Sequence, residues 1–408
     1  MTTTEAANLP DIGDAADLQR LVSDLIGGEQ FATAQADKDA ALIQILKPLC
    51  ARVGEACPPY GLFLQRLGKP IESWERIADV PPLPVTMFKK FALSAVPDER
   101  VVRELHSSST TGQSPSRIFI DKTTAFRQAR ALVSILKDAI GGARRPYLVL
   151  DVPESVGDGD TLSARGAAIR GVGNFASSTT FAMKTVSEPR GDTAGSGPTG
   201  GSAGGTMEPD WDAIAAFFEE HGEGPVLLFG FTFIVWTHFV LEAEARGLRF
   251  AAPAAQLLHS GGWKKLTAQA VSKDEFNTRA GAVLGMPASG ALDFYGMVEQ
   301  VGTVFVDCPA GNKHAPAFAD VVIRRPHTLE PVPPGEIGII EVVSVLPTSY
   351  PGQALITEDQ GELLGVDDCP CGRGGQYFRF TSRVERVEVR GCGDTFAEKA
   401  GAIGADSR

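Results

Sequence analysis

The first part of the chain carries apolar residues with the period of an α-helix. From Asp14 to about Leu67 they recur at spacings of three and four, as at Leu18, Leu21, Val22, Leu25, Leu42, Ile45, Leu46 and Leu49. This pattern predicts a helical segment at the N-terminus. The next stretch, Asp79 to Phe91, is rich in proline, which restricts its own backbone and that of the preceding residue. We therefore predict an extended conformation there.

Beyond a serine-rich run, short apolar segments alternate with helical stretches such as Thr124–Ile140. Strands separated by helices of ten or more residues predict an α/β domain with a mostly parallel sheet, whose ligands gather beyond the carboxyl ends of the strands. The longest apolar run, 226–241, contains polar residues and is too short to span a membrane, so it predicts a strand that continues into a helix. The predicted strands are Ile118–Ile120, Tyr147–Val152, Phe175–Met183, Val226–Gly230, Phe250–Leu258 and Leu292–Gly296.

Two further segments complete the predicted organisation. Residues 187–210 are rich in glycine and have almost nothing to bury, which predicts a mobile loop. Between Thr303 and Thr357, short β-rich pieces alternate with proline and glycine turns, which predicts a small β subdomain. The predicted domains are a helical segment over 1–80, an α/β core over 81–302, the β subdomain over 303–381, and a hinge with a flexible tail over 382–408.

Composition excludes several classes of function. The 408 residues carry a formal charge of −12 and no run of lysine or arginine, so nucleic acids and anionic membrane surfaces would be repelled. The N-terminus has acidic residues where a signal peptide needs basic ones, which favours a cytoplasmic protein. Six cysteines in so long a chain argue against a disulfide framework and favour metal binding or catalysis.

The serine-rich run is the first candidate site. Five hydroxyl residues precede Gly112, namely Ser107, Ser108, Ser109, Thr110 and Thr111. Their side chains and backbone amides can donate to phosphate oxygens, as in an anion-binding nest. It is not a Walker loop, because no Gly-Lys-Ser/Thr follows. The alternative is an ordinary serine-rich surface loop.

Acidic and basic residues later in the chain form two further candidate sites. Glu299 follows a predicted strand and a glycine turn, and Mg²⁺ beside phosphates prefers one or two carboxylates. Asp359 lies in a predicted turn and Arg383 follows it; an acid can accept from ribose hydroxyls, and an arginine can donate to ribose or phosphate. By itself, Glu299 fits a solvated loop glutamate better than a metal ligand, whereas Asp359 and Arg383 fit members of a surface salt bridge equally well.

Four cysteine and histidine residues form a fourth candidate site. Cys308 and His314 are six positions apart, and Cys369 and Cys371 are separated by one proline. Three thiolates and one imidazole make a tetrahedral zinc set, and a site closed by four protein ligands is structural. The spacings are not those of a zinc finger, so a chance cluster of free thiols is the alternative.

In their order along the chain, these motifs resemble the adenylate-forming superfamily of acyl-CoA synthetases. The closest resemblance is to its acyl-protein synthetase branch, of LuxE type, which is related to the phenylacetate–CoA ligases. The resemblance runs from about Pro81 to Asp394. It implies an α/β adenylate-forming N-terminal domain with mostly parallel sheets and a small β subdomain. Only 17 residues follow Gly391, so we expect the C-terminal lid domain of this superfamily to be largely absent.

The resemblance also implies roles for particular residues. Ser107–Gly112 matches the phosphate loop, with Ser109 where glycine is usual. Gly261 and Gly262 match the turn that lines the adenine pocket. Some phenylacetate–CoA ligase relatives have a structural zinc comparable to the cysteine–histidine set.

Three more matches concern the nucleotide and its metal. Tyr295 and Gly296 fall in the motif whose tyrosine flanks adenine, and Glu299 falls where the superfamily's glutamate ligates magnesium. Asp359 fits the ribose-binding aspartate, and Arg383 fits the arginine that opens the hinge. The implied cofactors are ATP, Mg²⁺ and a structural zinc ion.

The implied function is ATP-dependent activation of a carboxylic acid, expected to be a fatty acid, as an acyl-adenylate. The acyl group would pass to Cys392, whose flanking glycines leave the backbone free to move, and then to an acyl reductase partner. One alternative is an acyl- or aryl-CoA ligase. Another is a non-catalytic nucleotide-binding subunit of an acyl-reducing complex, suggested by Val298 in place of the usual threonine. Nothing in the spacing selects Lys264, Lys265 or Lys399 as the substitute for the lid lysine.

Overall fold

A computed structural model describes residues 15–67, 69–106, 115–157, 161–187, 205–263 and 270–383. A π-helical segment, Val235–Val240, joins two short helices into one continuous element. The α-helices are α1 Ala15–Gly27, α2 Gln35–Ala56, α3 Pro58–Arg66, α4 Met87–Lys90, α5 Lys122–Ile140, α6 Ala164–Val172, α7 Trp211–His221, α8 Thr232–Ile234, α9 Leu241–Ala245 and α10 Lys273–Leu284.

The strands fall between and after these helices. They are β1 Leu83–Pro84, β2 Val101–His106, β3 Arg117–Asp121, β4 Arg145–Val149, β5 Thr161–Ser163, β6 Ala176–Phe181, β7 Met183–Ser187, β8 Gly205–Pro209, β9 Leu227–Phe231, β10 Gln256–Ser260, β11 Ala291–Gly296, β12 Val304–Val306, β13 Lys313–His314, β14 Ala319–Arg324, β15 Ile337–Ser344, β16 Ala354–Val366 and β17 Gln376–Arg383.

The described residues divide into two compact units. The first unit contains those within Met1–Ile135, Met297–Thr303 and Asn312–Arg408, and the second contains those within Leu136–Gly296 and Val304–Gly311. The domain boundaries expected from the sequence, after residues 80, 302 and 381, stay predictions.

The second unit is built on a six-stranded sheet with the order β12-β11-β10-β9-β4-β6. All neighbours are parallel except β11 and β12. Parallel strands covered on both faces need apolar side chains on both, and Leu227, Leu228 and Phe229 of β9 are fully buried. This confirms the predicted α/β class and the predicted mostly parallel sheet.

The turn from β9 into its helix depends on one glycine. A Cβ on Gly230 would lie 2.7 Å from Val235 Cγ2 and 2.8 Å from Leu150 Cβ, so any larger residue would push the helix off the sheet. The predicted strand followed by a helix is therefore confirmed for 226–241. Among the described residues, no helix has the length and apolar character that a membrane crossing requires.

The first unit is built on an antiparallel sheet with the order β13-β17-β16-β15-β14, and β1 pairs in parallel with β16. The register of β16 and β17 places Asp359 opposite Arg383. Helices α1, α2 and α3 occupy the predicted N-terminal helical segment, and their periodic residues Leu42, Leu46 and Leu49 are buried.

Two local predictions were wrong in part. The stretch Asp79 to Phe91 is extended only around β1, because Met87 and Phe88 gain burial by turning into α4 once the prolines have been passed. The predicted loop 187–210 is too long, because Ser187 and Gly205–Pro209 belong to the antiparallel pair β7–β8. Residues 188–204 lie outside the described residues.

Two glycines of the first unit differ in how closely neighbouring backbone approaches them. Gly302 and Gly335 both have a φ of 88°, but a Cβ on Gly302 would lie 2.6 Å from Gln128 Cα, whereas Gly335 has nothing within 4 Å. We expect Gly335→Ala to cost roughly 1–2 kcal/mol of unfolding free energy, the general penalty of the left-handed conformation. Gly302→Ala should cost at least about 2 kcal/mol more, because backbone atoms must also move. Equal losses in urea unfolding would contradict this packing.

Candidate functional site

Glu299 is a buried carboxylate of the first unit. It lies in the short helical turn Val298–Gln300, which follows β11, and its residue is 8% exposed. Burial raises the pKa of Glu299, while a hydrogen bond from the Ser116 hydroxyl and the positive charges of Lys89 and Arg383 act in the opposite direction.

The backbone around Glu299 is fixed by buried hydrogen bonds. The Tyr350 hydroxyl donates to the Glu299 carbonyl at 3.0 Å, and Gln128 Nε2 donates to the Tyr350 oxygen at 3.1 Å. The Gln300 side chain donates to the Gly352 carbonyl. These contacts order the turn independently of any ligand.

Asp359 and Arg383 lie in the same unit, on paired strands. Arg383 Nε is 3.8 Å from Asp359 Oδ1, and Arg383 Nη2 is 3.6 Å from Glu358 Oε2. Glu358 Oε2 also accepts a hydrogen bond from Lys89 Nζ at 3.3 Å. The fold of this unit thus gathers Glu299, Asp359 and Arg383, the three residues predicted there, and adds Lys89 and Glu358. We call these five residues the acid–base group.

The predicted phosphate loop falls between two strands of the first unit. Residues Ser107–Gly112 lie outside the described residues, but β2 ends at His106 and its antiparallel partner β3 begins at Arg117. Ser116, whose hydroxyl reaches Glu299, immediately precedes β3 and is fully buried. One end of the hydroxyl-rich connection is therefore held at the Glu299 carboxylate.

The residues predicted to line an adenine pocket lie in the second unit. Gly261 follows β10 with a φ of 86°, and a Cβ there would lie 3.0 Å from Phe231 Cδ1. Gly262 comes next, and Tyr295 and Gly296 end β11. Ser260, the last residue of β10, pairs with Phe231, the last residue of β9, and with Phe294, two residues before the end of β11. The parallel sheet thus brings these four residues to one edge.

Sequence reasoning missed several polar residues at the same edge of that sheet. His259 is 4% exposed, with Nδ1 at 3.0 Å from Thr232 Oγ1 and 3.8 Å from Asp293 Oδ1. The guanidinium of Arg165 donates to both carboxylate oxygens of Asp151. No sequence signal identifies these pairs, because their members are separated along the chain and come together only when the strands pair.

Three of the four predicted metal ligands come together in the first unit. The ligand atoms of His314, Cys369 and Cys371 lie within 4.8 Å of one another and could hold a metal ion. Cys371 Sγ is 3.3 Å from His314 Nε2, Cys369 is buried, and Cys308, the fourth predicted ligand, is a buried residue of the second unit. Burial, with the charge of Arg373, lowers the pKa of His314 to about 4, so its imidazole is neutral and can ligate at neutral pH.

Hydrogen bonds attach the loop that contains Cys369 and Cys371 to the start of α2. The Asp367 carboxylate accepts from the backbone amides of Gln35 at 3.1 Å and Gly375 at 2.6 Å. Gln376 N donates to Gln35 Oε1 at 2.9 Å. Order in the ligand loop and docking of α2 are therefore coupled within the first unit.

Comparison with known proteins places the chain in a family. The pattern that defines the family described as acyl-protein synthetase, LuxE, matches residues 57–192 and 214–401. The chain belongs to this family. It is 25% identical over 136 residues to a long-chain-fatty-acid–luciferin-component ligase of Vibrio harveyi, and 27% identical over 137 residues to one of Aliivibrio fischeri. Each match covers 33% of this chain and 35% of the relative, about a third of either length.

Solved structures share the fold. An open conformation of 2-hydroxyisobutyryl-CoA ligase, with its acyl-adenylate and CoA, superposes with a TM-score of 0.58 at 15% identity, covering 92% of this chain and 82% of that one. The postadenylation state of the same ligase gives 0.60 at 15% identity, covering 87% and 70%. The predicted adenylate-forming fold is confirmed. The expected absence of a lid domain concerns residues outside the described ones.

The cysteine–histidine group is tested by metal content. We expect the purified chain to contain about one divalent metal ion, and Cys369→Ser to lose it. Because the ligand loop is attached to α2, the loss should also lower the melting temperature by roughly 5 °C or more. Elemental analysis and thermal unfolding measure the two effects.

Cys50→Ser is the matched control for this experiment. Cys50 is fully buried but outside the group, so its substitution should leave the metal content unchanged whatever it does to stability. A metal-free wild-type protein, or unchanged metal content in Cys369→Ser, would show that the four residues are an ordinary cluster of thiols.

Proposed function

We propose that this protein activates a carboxylic acid, specifically a fatty acid, with ATP and transfers the acyl group to its own Cys392. The acyl-enzyme then delivers the group to an acyl reductase. The observation that carries the proposal is the acid–base group of the first unit, in a chain of the acyl-protein synthetase family. The fatty substrate is supported by the printed names of the two Vibrio and Aliivibrio relatives.

The residues of the acid–base group suit the parts of a nucleotide. Asp359 accepts hydrogen bonds from ribose hydroxyls, and Arg383, which is largely exposed, donates to ribose or phosphate oxygens. Glu299 holds Mg²⁺, which neutralises phosphate charge when bound. In the second unit, Tyr295, Gly261 and Gly262 bind the adenine.

The reaction has two displacement steps. In the first, a carboxylate oxygen of the acid attacks the α-phosphorus of ATP, and pyrophosphate leaves. In the second, the Cys392 thiolate attacks the acyl carbon, a thioester forms, and AMP leaves with the pair of electrons of the broken bond; the thiol proton goes to solvent. A free cysteine is only a few per cent thiolate at pH 7, a share that a neighbouring positive charge raises. Ser107–Thr111 and Cys392 lie outside the described residues.

The metal of the cysteine–histidine group is zinc in this proposal. Thiolates and a neutral imidazole are the donors that zinc prefers, and four protein ligands leave no open position for substrate. Its contribution is therefore structural. The neutral state of the His314 imidazole and its proximity to Cys371 support this assignment.

Acyl transfer to Cys392 is tested with labelled acid. With ATP, Mg²⁺ and a panel of fatty and aryl acids, we expect pyrophosphate exchange and a hydroxylamine-sensitive label that maps to Cys392. Cys392→Ser should keep exchange and lose the label, whereas Cys57→Ser, which changes a buried cysteine elsewhere, should keep the label. Label that forms only on added coenzyme A would identify a CoA ligase. Absence of exchange with every acid would identify a non-catalytic nucleotide-binding subunit.

The role of Glu299 is tested by substitution and by pH. Glu299→Gln keeps the shape but loses the charge that attracts Mg²⁺, so exchange should fall by at least about 100-fold. Because burial raises the pKa of Glu299, wild-type exchange should decline with falling pH before the ordinary glutamate value of 4.5 is reached. Glu99→Gln, which removes an exposed carboxylate, is the control for net charge. Unimpaired exchange in Glu299→Gln would rule out this role.

A further inference from the structure

Lys89 is held in a defined position by the fold of the first unit. The residue lies in α4, which follows β1, and β1 pairs with β16 through Leu83 with Leu355 and Pro84 with Ile356. The amide of Val85 also donates to the Ile356 carbonyl at 3.1 Å. Strand β16 continues to Glu358 and Asp359, so its pairing with β1 brings α4 beside these acids.

Burial within α4 directs the lysine side chain. Met87 and Phe88 are buried in the core, which fixes the rotation of this single helical turn. As a result, the side chain of Lys89 is only 23% exposed, whereas the adjacent Lys90 is exposed. Two consecutive lysines thus have different environments.

Lys89 and Arg383 meet at one carboxylate oxygen. Lys89 Nζ lies 3.3 Å and Arg383 Nη2 3.6 Å from Glu358 Oε2, while Arg383 Nε also lies 3.8 Å from Asp359 Oδ1. Glu358 is itself 40% exposed, and an ion pair with so exposed a partner contributes little to stability. This ion pair therefore adds little to the stability of the fold.

The same ammonium lies near the carboxylate proposed to hold magnesium. The positive charge of Lys89 lowers the pKa of Glu299, and Ser116, at the end of the hydroxyl-rich connection, donates to that carboxylate. A lysine is a compact cation that binds phosphate as a point charge. When pyrophosphate leaves during adenylation, negative charge develops on its oxygens, and a fixed cation stabilises that charge.

We infer that Lys89 is a further substrate-binding residue of the proposed adenylation reaction, which binds the phosphate oxygens of ATP and the leaving pyrophosphate. The inference rests on the proposed function. On ATP binding, Lys89 turns from Glu358 to the phosphates, and Glu358 keeps its pairing with Arg383. The lysines considered from the sequence, Lys264, Lys265 and Lys399, lie outside the described residues.

The test compares phosphate-bearing and phosphate-free ligands on the full chain. Binding of ATP with Mg²⁺ and of adenosine is measured by calorimetry. Lys89→Met should weaken ATP by at least about tenfold, which corresponds to about 1.4 kcal/mol, and leave adenosine unchanged. Lys89→Arg should restore most of the ATP affinity, because it restores the charge. Lys90→Met is the matched control and should match the wild type.

A second variant tests the role of Lys89 without depending on the folding of Lys89→Met. Glu358→Gln removes the carboxylate that competes for the ammonium, so it should tighten ATP binding several-fold and leave adenosine unchanged. Weaker ATP binding in this variant would contradict the proposed exchange of partners.

The results distinguish a failure of the Lys89 role from a failure of the proposed function. If the wild type exchanges pyrophosphate and Lys89→Met binds ATP normally, or loses ATP and adenosine affinity equally, Lys89 is not a phosphate ligand although the function stands. If the wild type neither binds ATP nor exchanges pyrophosphate with any acid, the proposed function fails, and the inference fails with it.

Discussion

Removing the Glu299 carboxylate from water costs free energy. Several elements of the first unit offset that cost. Burial disfavours its ionised form, and the compensation comes from the Ser116 hydroxyl and from two cations on separate elements. The surrounding backbone is ordered by the Tyr350 and Gln128 hydrogen bonds. These contacts are the basis of the proposed roles of Glu299 in magnesium binding and of Lys89 and Arg383 in nucleotide binding.

The cysteine–histidine group imposes a second constraint, which reaches the N-terminal helices. Lys38 of α2 is buried and donates to the carbonyl of Ala315, the residue after His314, at 3.0 Å. Burial lowers the pKa of Lys38 although Asp320, 3.6 Å away, opposes the shift. A buried pair of this kind contributes little net stability but tolerates few alternative arrangements. The first turn of α2 and the strand that carries His314 are therefore kept in one arrangement.

The second unit depends on a different constraint, the tight turns that follow its parallel strands. Its strands β9 and β10 end level with each other, and the chain must leave each of them in a tight turn above a packed core. Gly230 lets the helix after β9 approach Leu150, and Gly261 adopts a left-handed conformation against the Phe231 ring. These turns leave Tyr295, His259 and their neighbours at the edge where parallel sheets present ligand-binding residues.

Features that depend on near neighbours in the chain could be predicted from the sequence. Helical and strand periods indicated α2, α5 and β9, and the close spacings of Cys308 with His314 and of Cys369 with Cys371 indicated a metal group. The helix α4 was missed, because its two apolar residues turn inward only where a core is present to receive them. Only the tertiary structure decided that Lys89 meets Glu358, 269 positions later in the chain, and that Asp359 faces Arg383. Those contacts follow from the pairing of β1 and β17 with β16, and strand partners far apart in the chain are chosen by the packing of the whole unit rather than by any local pattern.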